Sequence, residues 1–107
     1  MRPAPYVLTR GAAADLREIA RYTAREWGLA QCRRYIAQIE EAASDLAQGA
    51  GAWREMADIL PGLRMKAVGR HVIFCVPQPD APAVILAVLH ERMDLMTRLR
   101  HRLVDPA

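Results

Sequence analysis

A chain of 107 residues, 52% hydrophobic and 25% charged, has the length and balance of one compact domain, residues 1–107, with a single apolar core. No apolar run approaches the roughly twenty residues needed to span a bilayer, and charges and prolines interrupt "MRPAPYVLTRGAAADL", so neither a membrane helix nor a secretory signal is expected and the location is taken as cytoplasmic. A formal net charge of +3 favours an acidic partner or nucleic acid without requiring either.

The segment "PYVLT", Pro5 to Thr9, is short and rich in strand formers, which predicts an edge strand. From Ala12 to Trp27 the residues Ala12, Leu16, Ile19, Ala20, Thr23 and Trp27 recur at helical spacing, with Arg17, Arg21 and Arg25 on other faces. Gly28 ends that helix. A second apolar stripe, Cys32, Tyr35, Ile36, Ile39, Ala43 and Leu46, runs on to Gly49 and Gly51, so the pair reads as an antiparallel helical hairpin. Trp27 and Tyr35 fall on the apolar faces and are expected in the core, whereas Tyr22 lies beside the face.

A loop follows from Trp53 to Pro61, with Trp53 expected to pack over the open end of the hairpin or to meet a partner. "LRMKAV" then alternates, placing Leu63, Met65 and Ala67 on one side of a strand and Arg64 and Lys66 on the other. Gly69 and Arg70 suit a tight turn into "HVIFCV", and "PQPDAP" separates that run from Ala83 to His90, completing an antiparallel meander. The last two strands are apolar on both alternating sets, so both of their faces need cover. The hairpin supplies one cover. The C-terminal stripe Leu95, Met96, Leu99 and Leu103 supplies part of the other, and the remainder is expected to be an interaction surface.

Chemical motifs are sparse. His71, His90 and His101 share no metal-ligand spacing with one another or with a cysteine, Ser44 is the only serine, and no phosphate-cradling glycine loop or paired-carboxylate motif is present. Metal and nucleotide chemistry are disfavoured, and no cofactor is expected. Cys32 and Cys75 sit within apolar patterns and read as free buried thiols. Gly62 to Val76 holds Arg64, Lys66 and Arg70 with no acid, while Glu40 to Asp58 holds five acids against Arg54. The basic stretch is either a solvated strand face or a grip for an anionic partner. The run Arg98, Arg100, His101 and Arg102 either favours a helix C-terminus or extends that grip.

The order of these elements, with "AAADLREIARYTAREWG" followed by Gln31 and Tyr35, then "LPGLRMKAVGRHVIF", then "VILAVLHERMD", resembles the ParE toxins of the RelE/ParE superfamily of bacterial toxin-antitoxin systems. The likeness is collinear from about Tyr6 to Asp94. It implies an α+β fold in which an antiparallel helical hairpin packs on a small curved antiparallel sheet, in the order β-α-α-β-β-β, with a short C-terminal helix or tail. It implies a toxin that is not an enzyme, poisons DNA gyrase and promotes accumulation of cleaved DNA.

The resemblance further implies a ParD-like antitoxin whose dimeric N-terminal domain binds DNA and whose C-terminal segment wraps the toxin. The two would form a hetero-oligomeric complex, a heterotetramer being one arrangement, and this chain would meet DNA only indirectly. Candidate target contacts are Arg64, Lys66, Arg70, His90, Arg92, Arg98, Arg100 and Arg102. Candidate antitoxin contacts are Tyr6 and Leu8 on the edge strand, with Leu95, Met96 and Leu99 in the tail. One departure is Cys75, where an aromatic residue is common in relatives.

The alternative from the same superfamily is a RelE-like ribonuclease that cuts messenger RNA on the ribosome. Such chemistry needs acid-base groups and cations at the scissile phosphate, for which Arg64, Lys66, Arg70, His90 and Arg92 are the available set. Against it, no tyrosine follows Tyr35, and Glu91 beside His90 repels phosphate.

Overall fold

The computed structural model describes residues 4–104. Its order is β1 (Tyr6–Leu8), α1 (Arg10–Trp27), α2 (Leu29–Gln48), β2 (Arg54–Glu55), β3 (Arg64–Val68), β4 (His71–Gln78), β5 (Ala81–His90) and α3 (Leu95–Val104). The α+β class and the helical hairpin match expectation. The five strands lie in the order β1-β5-β4-β3-β2, with the predicted meander of β3, β4 and β5 at the centre. Two details are additional: β1 joins β5 in parallel, and the two-residue β2 extends the far edge antiparallel to β3.

Local chemistry sets the boundaries. Thr9 caps α1, its hydroxyl accepting the Ala12 N–H at 3.0 Å while donating to Leu86 O at 3.2 Å, so one side chain fixes both the helix start and its place on the sheet. Gly28, at φ 89°, makes the corner between the helices, and Gly49 ends α2 in the left-handed region at φ 69°. The turn between β4 and β5 is tighter than the sequence predicts. Strand β4 runs through Pro77 to Gln78 and only Pro79 and Asp80 form the turn, because the register shift between Val76 and Gln78 removes the need for a ladder N–H at Pro77.

A second irregularity places an extra residue, Leu86, in β5 between the pairs Phe74↔Ala87 and Cys75↔Ile85. It resets the alternation, so Ile85 and Val88, three residues apart, both join the core under the hairpin. There they meet Ile39, Leu46, Ile73 and Cys75. On the opposite face Leu63, Phe74, Leu89 and Leu99 form a second buried cluster. The cover missing from the sequence account is the loop: Met56, Ile59 and Leu60 pack beside α3 on that face.

Trp27, expected in the core, lies elsewhere, and Trp53 packs at the rim by the open end of the hairpin. Trp27 is 71% exposed because it is the last residue of α1, beyond the buried positions Ala12, Ile19 and Thr23. Trp53 sits at the rim with the Arg64 guanidinium 4.5 Å from its ring centroid, a cation–π contact on a half-open side chain.

Candidate functional site

A cavity of about 890 Å³ opens where the α1–α2 corner overhangs the β3–β4 turn and the end of β5. Its polar wall is built around Tyr35. The Tyr35 hydroxyl accepts the Arg70 N–H at 3.1 Å, lies 3.3 Å from Val68 O and hydrogen-bonds His71 Nδ1, so one phenol ties α2 to the whole β3–β4 turn. Gly69 makes this approach feasible. Its φ of 56° suits the turn, and a Cβ there would come within 2.6 Å of the Tyr35 ring.

His71 pairs in register with His90 across β4 and β5, and their rings meet edge to face with centroids 5.2 Å apart. His90 Nδ1 accepts the Arg92 N–H at 3.1 Å. Burial, followed by the neighbouring His90, holds the His71 imidazole below its ordinary pKa, and burial raises the Tyr35 phenol. Both groups are therefore neutral near pH 7. Arg70 faces Glu91 at 3.9 Å between exposed side chains, and Arg92 also lines the opening. Ile19, Tyr22, Trp27 and Met93 supply the apolar wall.

The stretch "HERMD" thus forms the exit from β5. Glu91 N–H bonds to Arg70 O at 2.8 Å and Met93 N–H to His90 O at 3.0 Å, which turns the chain. Asp94 then caps α3, accepting from the Thr97 N–H at 3.3 Å and the Thr97 hydroxyl at 2.7 Å, bonds that hold its carboxyl below the usual range.

Of the sequence-predicted target contacts, Arg70, His90 and Arg92 come together at this cavity. Arg64 and Lys66 do not form an open basic face. Arg64 lies under the C-terminus of α2, donating to Leu46 O at 2.9 Å and Ala47 O at 3.4 Å, and Lys66 donates to Ala52 O at 2.8 Å. They answer carbonyls of the helix end and the following loop, Leu46 O accepting the Gly49 N–H as well. Arg98 and Arg100 are exposed on α3, whereas Arg102 turns inward and clasps Asp15 with bonds of 2.6 and 2.9 Å.

Among the candidate antitoxin contacts, Tyr6 and Leu8 lie on the outer strand, Tyr6 packing partly against the core and Leu8 more open. Leu95 and Met96 are half-buried, and Leu99 is sealed against the sheet. Sequence reasoning missed His71 and Trp27 as members of the cavity. Spacing alone gives no signal for His71: a plain two-residue turn at Pro79 and Asp80 would set it opposite Val88, and the two register shifts in the β4–β5 ladder move its partner to His90.

The two thiols are free, with burial pushing Cys75 up to about 11 and Cys32 donating to Ala20 O at 3.2 Å. Among the described residues, no three or more His, Cys, Asp or Glu side chains gather in a metal-binding group. No helix there is long and apolar enough to cross a membrane.

Comparison with known proteins fits this architecture. Residues 6–95 match the family model described as the ParE toxin of the type II toxin-antitoxin system, parDE. Toxin ParE of Escherichia coli is 54% identical over 98 residues, covering 92% of this chain and 95% of that protein. Toxin ParE1 of Mycobacterium tuberculosis (strain ATCC 25618 / H37Rv) is 31% identical over 90 residues, covering 84% and 92%. A chain from the chromosomal ParDE TA system of P. aeruginosa shares the fold with a TM-score of 0.64 at 23% identity, over 79% of this chain and 92% of that one. With its helical hairpin on a five-stranded sheet and a family match running from β1 to the start of α3, the chain belongs to the ParE toxin family of type II toxin-antitoxin systems.

Proposed function

We propose that this protein is a toxin acting on DNA gyrase by protein–protein contact, without catalysis of its own, and that a ParD-like antitoxin silences it in a hetero-oligomeric complex in the cytoplasm. The observation that carries this reading is the 54% identity spanning nearly all of the Escherichia coli Toxin ParE. Two surfaces support it. Trp27, Leu29 and Tyr22 are large apolar side chains left open around the α1–α2 corner, a composition suited to a protein partner. On the opposite margin β1 is the outermost strand, and its free edge suits an added strand from the antitoxin.

Arg92 at the cavity and Arg98 and Arg100 on α3 are the exposed cations best placed to meet the target. An antitoxin that used Leu99 would first have to lift α3 from the sheet, since that side chain has no exposed surface. Tyr6, Leu8, Leu95 and Met96 need no such opening.

The test sets purified protein against a gyrase supercoiling assay and a messenger-RNA cleavage assay in parallel. Loss of supercoiling with accumulation of cleaved DNA, relieved by the antitoxin, is expected. Arg92→Glu should weaken the gyrase effect while antitoxin binding persists. RNA cleavage with gyrase unaffected would overturn the reading in favour of a ribonuclease.

A further inference from the structure

The cavity has a chemical character that protein–protein contact does not require. Tyr35 Oη accepts the Arg70 N–H, and its own proton has two acceptors within reach, Val68 O at 3.3 Å and the closer His71 Nδ1; on the shorter contact Nδ1 is the acceptor. His71 then carries its hydrogen on Nε2. His90 Nδ1 is likewise an acceptor, taken by the Arg92 N–H, so its hydrogen is also on Nε2. The two rings are cross-strand neighbours, and both line the cavity. With these tautomers each imidazole has one N–H not used by its neighbours, beside a cavity that Arg70 and Arg92 also line. Such a set answers a group of several acceptor oxygens and negative charge.

The carboxylates nearby are largely engaged. Asp15 is clasped by Arg102 and accepts the Val88 N–H, Glu18 faces Arg21 at 3.3 Å, and Glu91, whose charge opposes phosphate beside His90, is offset by Arg70 3.9 Å away and does not line the cavity. The rest of the lining is of another kind: Trp27 is mostly exposed, Tyr22 is half exposed with the Arg25 guanidinium 5.9 Å from its ring centroid, and Ile19 and Met93 complete the apolar wall. A ligand that used both walls would join an anionic oxygen cluster to a flat ring. At about 890 Å³ the cavity has room for one small molecule of that size.

We propose that this cavity binds a nucleotide, its terminal phosphate on His71, His90 and Arg92 and its base against Trp27 and Tyr22. Stacking of a base on an aromatic side chain tolerates any base, so the phosphate end and the aromatic end each add affinity while the identity of the base matters little. The site shares Arg92, Trp27 and Tyr22 with the surface offered to a protein partner, but its binding test uses the chain alone and does not rest on that reading. The terminal nucleotide of a 5′-phosphorylated strand presents the same groups as a free mononucleotide.

The experiment measures binding of adenosine 5′-monophosphate to the full chain by calorimetry, beside inorganic phosphate, adenosine and a 5′-phosphorylated tetranucleotide. In a Trp53→Phe background Trp27 is the remaining tryptophan, and its fluorescence reports the aromatic wall directly. The mononucleotide should bind at least about tenfold more tightly than phosphate or adenosine, and quench Trp27. Tighter binding of the tetranucleotide assigns the site to a strand end, and equal or weaker binding to the free nucleotide.

His90→Phe keeps a ring against His71 but removes the donor, and should weaken the mononucleotide about tenfold. Trp27→Ala should reduce its affinity to that of inorganic phosphate without changing phosphate binding. Melting temperatures equal to the parent's show that each variant is folded, and a His90→Phe variant that melts early is replaced by Arg92→Gln at the exposed margin. No binding by the intact chain, or equal affinity for phosphate and mononucleotide, overturns the proposal.

Discussion

Beneath the helical hairpin the sheet is covered by helices of 18 and 20 residues, whereas the opposite face has only the 10-residue α3 and the loop from Met56 to Leu63. The first cover is broad and apolar, spread over Ala12, Ile19, Ile39, Ala43 and Leu46, so its stability comes from area removed from water. The second rests on two sealed aliphatic side chains, Leu63 of the loop and Leu99 of α3, and on the clasp of Arg102 around Asp15, which reaches from α3 to α1. A small domain can therefore fasten one layer by surface and the other by points. The contrast also explains where the cavity lies, because the broad layer stops short of the β3–β4 turn and leaves an overhang that Tyr35 alone bridges.

The largest expected effect tests the broad layer. Ile39→Asp buries an unpaired charge where 1% of the residue is exposed, and should cost several kcal/mol, on the order of the whole folding free energy. Loss of the cooperative thermal transition is the expected result. A fully folded variant would show that α2 does not face the sheet through Ile39.

Leu99→Ala tests the point fastening and should cost about 2–5 kcal/mol. If the two layers are held independently, amide protection should collapse in α3 first while α1 and α2 keep theirs. Simultaneous loss in all three helices would mean that α3 is part of one cooperative unit with the hairpin.

The smallest effect concerns the overhang. His71, set among Tyr35, His90, Glu91 and Asp15, has its pKa held below the ordinary 6.5 by burial and then by His90. The unfolded chain therefore binds a proton more readily, so this group's penalty is absent well above pH 6.5 and grows as pH falls through 6.5 toward the lower folded value. Urea midpoints measured between about pH 7.5 and 5.5 should fall more steeply for the parent than for His71→Gln. Parallel slopes would remove His71 from the account.

Much of the fold was legible because it rests on local periodicity. The stripe from Cys32 to Leu46 and the alternation from Leu63 to Ala67 each state their structure within a few residues, and Gly28, Gly49 and Gly69 mark the corners. What stayed hidden depends on contacts distant in sequence. Arg64 and Lys66 look like a solvent-facing stripe from their spacing, but the carbonyls they serve belong to α2 and the following loop. Trp27 continues its helix's apolar pattern for one turn more than the sheet can cover. Tyr35 reads as a core residue until the β3–β4 turn, more than thirty residues later, is brought to its hydroxyl. Antiparallel register then sets His71 beside His90.

Strand β1 pairs only with Ala83, Val84 and Ile85, which would leave the rest of β5 as a bare rim. That rim is not bare. Asp15 accepts the Val88 N–H at 2.9 Å, and Arg102 donates to Leu86 O at 3.2 Å, so side chains occupy backbone positions that another strand would use. From Ala83 to Leu89 the sequence is apolar throughout, a composition prone to fibril growth once its edge is accessible. The ion pair that fastens α3 is thereby also a guard against self-templating, setting charge and bulk where a second copy of the strand would dock.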